Sequence, residues 1–355
     1  MLPIEVQRAA TLKPKPSPEG LGFGKYFADH MFRMDYSPER GWHQARILPH
    51  APLGLDPAAA VLHYAQAVFD GSKVFRGKDG QLRAFRIDDH CKRLAASADR
   101  LAMAAVPPEV AREAIEALVK LEADWVPNAP GTSLYVRPVV IASEPFLGVR
   151  PADKYIFFVI LSPVGSYFAG GAETVRIWVE QEHTRAAPGG LGGAKAAANY
   201  AAGLKASVEA KKRGYAQVLW LDALEHQYIE EVGTMNLFVR IGDEIITPPL
   251  DGTFLPGITR ESVLTLLRDW GMKVSERKLA ISELREAHKK GELREVFGTG
   301  TAAVISPVGG LGFQDGELRI GDGKVGEVSQ RLYDTVTGIQ NGTLPDRHGW
   351  MSIIK

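Results

Sequence analysis

Residues 189–200 read GGLGGAKAAANY: one lysine set behind four glycines and in front of a run of alanines. Three chemistries compete for such a stretch. A phosphate-cradling P-loop needs glycine directly before the lysine and Ser or Thr directly after it, where this chain has Ala194 and Ala196. A dinucleotide fingerprint begun at Gly190 and Gly192 needs glycine or alanine at the place that Lys195 itself occupies. Gly298, Gly300 and Ala303 do satisfy that spacing, but the β-branched, Pro307-containing run that follows cannot be the helix the motif requires, so a tight turn between strands is expected there. What remains is a lysine whose charged form is disfavoured by its surroundings, so that it can condense with a carbonyl.

A second feature supports that chemistry. QYIEEVGTMNLFV, residues 227–239, sets Glu230 and Glu231 side by side in an apolar strand pattern, where alternation lets only one of them point outward. One of the two is expected to be buried and paired. A pyridine-based cofactor needs such a carboxylate beside its ring nitrogen.

Composition sets the outer bounds. The chain has 355 residues, 45% hydrophobic and 24% charged, which suits a two-domain globular protein. Lys plus Arg equals Asp plus Glu at 42 each, so no net field draws nucleic acid or an anionic membrane, and neither partner is expected. Cys91 is the only cysteine; it excludes an internal disulfide and a multi-thiolate metal site, and no metal is expected. The N-terminus lacks a secretory pattern and no stretch reaches membrane-spanning length, which predicts a cytoplasmic protein.

The Pro- and Lys-rich residues 1–22 read as an exposed arm. Residues 23–168 read as a small α+β domain. It holds a hairpin around Lys78-Asp79-Gly80, a helix capped by Asp88 and running through Ala105, a helix after Pro107-Pro108, and strands in SLYVRPVVIA and KYIFFVILSPVG. The glycine pair in SYFAGGAE points to a linker, residues 169–182, before a larger domain over 183–355. There a helix over 197–213 ended by Gly214 leads into a series of strands. TRESVLTLLRDWG and ISELREAHKKG, the second capped near Ser282, read as further helices.

Taken together, GGLGGAKAAANY, QVLWLDA, EEVGTMNLF, TPPLDGTFLPGITRE and FGTGTAAVISPV resemble the branched-chain amino acid aminotransferases of the class IV aminotransferase family, which are fold type IV pyridoxal 5'-phosphate (PLP) enzymes. FGKYFADHMF, HYAQAVFDGSKVFRG and SLYVRPVVIASE extend the resemblance over nearly the whole chain from about residue 23. The resemblance implies a mixed α/β, two-domain fold: a small N-terminal α+β domain and a larger C-terminal β-barrel-like domain with helices. It implies that Lys195 carries PLP and shuttles the substrate proton, that Glu231 faces the pyridine nitrogen, and that Tyr200 bonds the cofactor phenolate. Arg93, Ile258, Thr259 and Thr301 are implied to bind the phosphate, with Thr234 also near cofactor and substrate. The amides of Ala302 and Ala303 would take the substrate carboxylate, and Phe23, Tyr64, Phe69, Tyr135 and Tyr167 would form an apolar cup, with Arg137 organising Tyr64.

The implied activity is ping-pong transamination between leucine, isoleucine or valine and 2-oxoglutarate, yielding branched-chain 2-oxo acids and glutamate. The implied assembly is a homodimer or larger homo-oligomer. Rivals on the same scaffold are a D-amino acid aminotransferase and an aminodeoxychorismate lyase, with a non-catalytic PLP binder as a third. A Cys-x-x-Cys redox switch carried by some members falls here on Ala303 and Ser306, so thiol regulation of that kind is not expected.

Overall fold

The computed structural model describes residues 3–165 and 173–354. The chain divides into two compact units. The first comprises Met1–Tyr167, Ala194–Ala198 and Thr337–Lys355; the second comprises Phe168–Gly193 and Asn199–Val336. Two expected boundaries are corrected. Residues 194–198 and 337–355 belong with the first unit, and Val175–Val179, which falls in the expected linker, is a strand of the second unit's sheet.

The first unit is built on one sheet. Its order runs Glu5–Val6, Gly41–Pro49, His30–Ser37, Tyr155–Val164, Ser133–Ala142, Ser72–Arg76, Leu82–Phe85 and Met351–Ile353, with Ala67–Phe69 also pairing Ser133–Ala142. The two long strands pair over ten residues, Ser133↔Val164 to Ala142↔Tyr155, because β-branched and aromatic side chains suit a pleated surface. Helices Ile87–Arg100 and Pro108–Leu121 send Leu94, Ala98, Ile115 and Leu118 into a core shared with Val74, Val136 and Phe157. Cys91 sits in that core, where burial pushes its thiol up to about 12. Asp88 lies inside the first turn rather than capping the first of these helices, whose cap position is Arg86, and the helix stops at Arg100 instead of Ala105.

The N-terminal arm is tied down, contrary to the expectation from composition. Glu5–Val6 pairs in parallel with Arg46–Ile47, the Ala9 N–H donates to His30 Nε2 (2.8 Å) and the Lys13 N–H to Asp29 Oδ1 (2.7 Å). Composition gave no sign of this because the partners, a strand edge at Arg46–Ile47 and the buried His30 and Asp29, lie more than ten residues away.

The second unit is a sheet that closes on itself. Ile229–Val232, Gln217–Leu221, Val175–Val179, Val304–Phe313, Leu293–Gly300 and Met235–Ile241 follow one another, and the last pairs back with the first. Glu244–Thr247, Lys273–Glu276 and Gly316–Arg319 extend the ring. Leu219, Leu221, Val232, Leu237, Val239 and Val296 fill its core. The expected helix over 197–213 is two, Ala197–Ala202 and Leu204–Lys212, with the break at Gly203 against the Trp220 ring. Helix Ile281–Lys289 takes Ala280 as its cap, with Ser282 inside the first turn.

Candidate active site

In the first unit the lysine segment is fastened by its backbone. Val68 forms an antiparallel bridge to Ala196, the Phe69 N–H donates to Lys195 O (3.1 Å), and the Lys195 N–H donates to Ser97 Oγ (3.0 Å). Lys195 is thus held between strand Ala67–Phe69 and helix Ile87–Arg100. Burial, and then the nearby Arg93 guanidinium, lower its amine to about 8, while Asp70 and Tyr135 act in the opposite sense. Its Nζ lies 5.2 Å from the Phe69 ring centre.

Arg93 projects from the same helix and closes its fork on Asp70, Nε to Oδ2 and Nη2 to Oδ1, both at 2.9 Å. Asp70 is fully buried and also accepts from His90 Nδ1 and from the Gly71 N–H, each at 2.7 Å. Its burial alone would raise its pKa, but Arg93 and His90 outweigh this and hold it far below the usual carboxylate range. Of the aromatic candidates, Phe69 and Tyr135 lie close to Lys195. Tyr135 is buried, meets Phe23 edge-on at 4.9 Å and accepts from Arg137 Nη2 at 3.2 Å. The Arg137 guanidinium also covers the Phe69 ring at 4.8 Å. Its contacts are therefore with Tyr135 and Phe69, whereas the Tyr64 hydroxyl donates to Leu147 O; the expected organisation of Tyr64 by Arg137 is corrected. Phe23 and Tyr64 are close to half exposed, and Tyr167 lies outside the described residues.

In the second unit both Glu230 and Glu231 are buried, not one of the pair. Glu231 Oε2 pairs with Arg185 Nε at 2.6 Å, and Glu231 Oε1 accepts from Asn236 Nδ2 at 3.1 Å. Such pairing offsets part of the cost of burying a carboxylate. Glu230 differs: burial, with Asp251 and Asp222 adding to it against a Thr253 hydrogen bond, raises it to about 7. Asn236 also donates to Leu255 O (2.9 Å), tying Glu231 to the turn before helix Ile258–Asp269. That helix has Gly257 at its cap position, and Thr259 in its first turn is buried. Thr301 and Ala302 are half-buried, and Ala303 is buried, in the turn between Leu293–Gly300 and Val304–Phe313. Thr234 is exposed in the turn between Ile229–Val232 and Met235–Ile241, and Tyr200 is half-buried in helix Ala197–Ala202.

Arg185 and Asn236 were missed in the sequence. Asn236 had a signal, a polar residue in an apolar strand; Arg185 had only its place upstream of the glycine loop. The glycines themselves have a structural reason here: a Cβ at Gly192 would lie 2.0 Å from Thr253 O, so only glycine lets this loop lie against that backbone.

The residues present fit PLP. The first unit carries an amine of lowered basicity and a half-buried arginine, and the second carries a buried carboxylate paired with Arg185 and a helix that begins at Gly257, each of a kind that PLP requires. Residues 67–310 match the amino-transferase class IV family, and the chain belongs to that family of fold type IV, PLP-dependent enzymes. It is 53% identical to branched-chain-amino-acid aminotransferase 2 of Bacillus subtilis over 98% of this chain and 96% of that one. It is 50% identical to branched-chain-amino-acid transaminase 1 of the same organism over 98% of each chain. Among solved structures, it is similar to the Escherichia coli branched-chain amino acid aminotransferase, with a TM-score of 0.74 and 27% identity over 92% of this chain and 99% of that one. It is also similar to the branched-chain aminotransferase of the thermophilic archaeon Thermoproteus uzoniensis, solved with norvaline, with a TM-score of 0.75 and 25% identity over 91% of this chain and 100% of that one.

Proposed function

We propose that this aminotransferase exchanges the amino group between leucine, isoleucine or valine and 2-oxoglutarate. The amino acid gives up its amino group and leaves as a branched-chain 2-oxo acid before 2-oxoglutarate enters and leaves as glutamate. PLP, when bound, supplies the electron-withdrawing ring that makes the substrate Cα proton acidic.

Lys195 holds the cofactor and then moves the proton between substrate Cα and cofactor C4′, for which an amine lowered to about 8 is suited near neutral pH. Glu231, paired with Arg185 and Asn236, keeps the pyridine nitrogen protonated. Tyr200 bonds the phenolate. Arg93, Thr259, Thr301, Thr234 and the amide of Ile258 hold the cofactor, the phosphate most of all. Ala302 and Ala303 offer backbone N–H groups to the substrate carboxylate. Phe23, Tyr64, Phe69, Tyr135 and Tyr167 exclude water from an aliphatic side chain, and Arg137 with the Tyr135 hydroxyl accommodates the second carboxylate of glutamate. The observation that carries the reading is the amine of Lys195, lowered by burial and by Arg93, in a chain half identical to two aminotransferases of branched-chain substrates.

We further propose a homodimer or larger homo-oligomer working in the cytoplasm. Among the described residues no helix is long and apolar enough to cross a membrane, and no group of three or more His, Cys, Asp or Glu side chains could hold a metal. The test is a visible spectrum of the purified protein before and after L-leucine, beside a turnover panel of L-leucine, L-valine, D-alanine and aminodeoxychorismate. Bleaching and turnover by the L-amino acids are expected; turnover confined to D-alanine would replace this reading with the D-amino acid one. Light scattering should give a mass at least twice that of one chain.

A further inference from the structure

Arg93 sits mid-helix on a long side chain that would otherwise sample many rotamers. What fixes it is Asp70, and Asp70 is itself fixed. Its carboxylate lies wholly inside the protein, receives both arms of the Arg93 fork at 2.9 Å, and takes further donors from His90 Nδ1 and Gly71 N–H at 2.7 Å. Only glycine fits beside it: a Cβ at Gly71 would sit 1.8 Å from the Tyr135 hydroxyl. A carboxylate buried this completely persists only when paired, so the cluster locks as a unit.

We propose that Asp70 is a positioning residue for the reaction: through its paired contacts it presents the Arg93 guanidinium to the cofactor's phosphate in one fixed orientation. This rests on the reading of Arg93 as phosphate-binding and Lys195 as cofactor-bearing. The two charges act on Lys195 in opposite senses, Arg93 lowering its basicity and Asp70 raising it. Among the described residues, the other groups acting strongly on Lys195 are Tyr135 and Arg137, and His90 feels Asp70, Arg93 and Lys195 together. Removing the Asp70 charge therefore takes away the larger of the two groups that oppose Arg93 there, leaving Tyr135.

The experiment uses the full chain stripped of cofactor. PLP affinity is measured by fluorescence titration, with inorganic phosphate as competitor, for the wild type, Asp70→Asn, Arg93→Ala and the double variant. The pH dependence of PLP capture is followed by visible absorbance. Asp70→Asn should weaken PLP and phosphate binding by about 10-fold, as expected when a bidentate arginine loses its anchor. The double variant should bind no more weakly than Arg93→Ala alone, because both changes break one interaction. The capture profile of Asp70→Asn should move to lower pH by about one unit, a shift that loose packing would not produce. Wild-type affinity and profile in Asp70→Asn, or additive losses in the double variant, would overturn the proposal. A wild type that captures no PLP would instead overturn the functional reading. If circular dichroism shows Asp70→Asn unfolded, His90→Ala, which removes one donor to Asp70, takes its place; about 3-fold weaker phosphate competition is expected on the same ground, and an unchanged value overturns the proposal.

Discussion

At the scale of single residues, the chemistry depends on how burial redistributes protons. Lys195 titrates near 8 because its surroundings penalise the ammonium. Capture of added PLP by the stripped protein should therefore quicken as pH rises toward about 8 and level off beyond it, since the neutral amine is the nucleophile. A stopped-flow absorbance series between roughly pH 6 and 9 checks this, and a flat profile would contradict it. Lys195→Ala should lower turnover by at least about 100-fold, the scale of a positioned acid–base group, while the protein stays folded. Glu230 shows the opposite shift. Its folded-state pKa, about 7, lies above the ordinary value of 4.5, so between those values the folded state binds more protons than the unfolded one, and stability falls as pH rises through that window. Glu230→Gln should match the wild type near pH 4 and exceed it by up to about 3 kcal/mol near pH 8 in urea unfolding. The two adjacent glutamates could be found in the sequence but not told apart by burial there. Strand alternation pointed one of them outward, and only the ring of strands with Arg185, Asn236 and Thr253 around it buries both.

At the scale of elements, loops and turns set the reactive groups. The lysine segment is not rigid by propensity; it is pinned by Val68, Phe69 and Ser97, and the glycine loop ahead of it is held by the close pass of Gly192 over Thr253. Gly192→Ala should cost at least about 2 kcal/mol, because backbone atoms 2.0 Å away must move, and the loss should appear both as a lower Tm and as weaker PLP retention. Asn236→Ala should weaken PLP binding by roughly 10-fold, since it removes a buried donor to Glu231 and to the turn before helix Ile258–Asp269. The helices and strands around these turns were largely legible, because their apolar periods of 3.6 and 2 are local properties. Their ends were not: the cap at Arg86, the break at Gly203 and the cap at Ala280 depend on packing partners distant in sequence.

At the scale of the molecule, the chain's two ends are structural parts of the first unit. Met351–Ile353 pairs with Leu82–Phe85, the Arg86 N–H donates to Trp350 O at 2.7 Å, and Trp350 and Ile354 are buried. Truncation after His348 should destabilise the protein by about 3 kcal/mol or more, the scale of burying two large apolar side chains, and a chemical denaturation curve measures it. An unchanged midpoint would show that the last strand contributes nothing. The class of chemistry is legible in the order of residues alone: a lysine behind glycines, paired glutamates in an apolar strand and an ordered set of motifs spread over most of the chain leave few alternatives, because each is written in consecutive residues. Which polar groups stand next to those residues is decided only in the folded chain. Asp70 behind Arg93, Arg185 beside Glu231, and the docking of both chain ends join residues more than twenty positions apart in sequence, and the cost of burying an unpaired charge, which dictates the two ion pairs, arises only once the chain has folded.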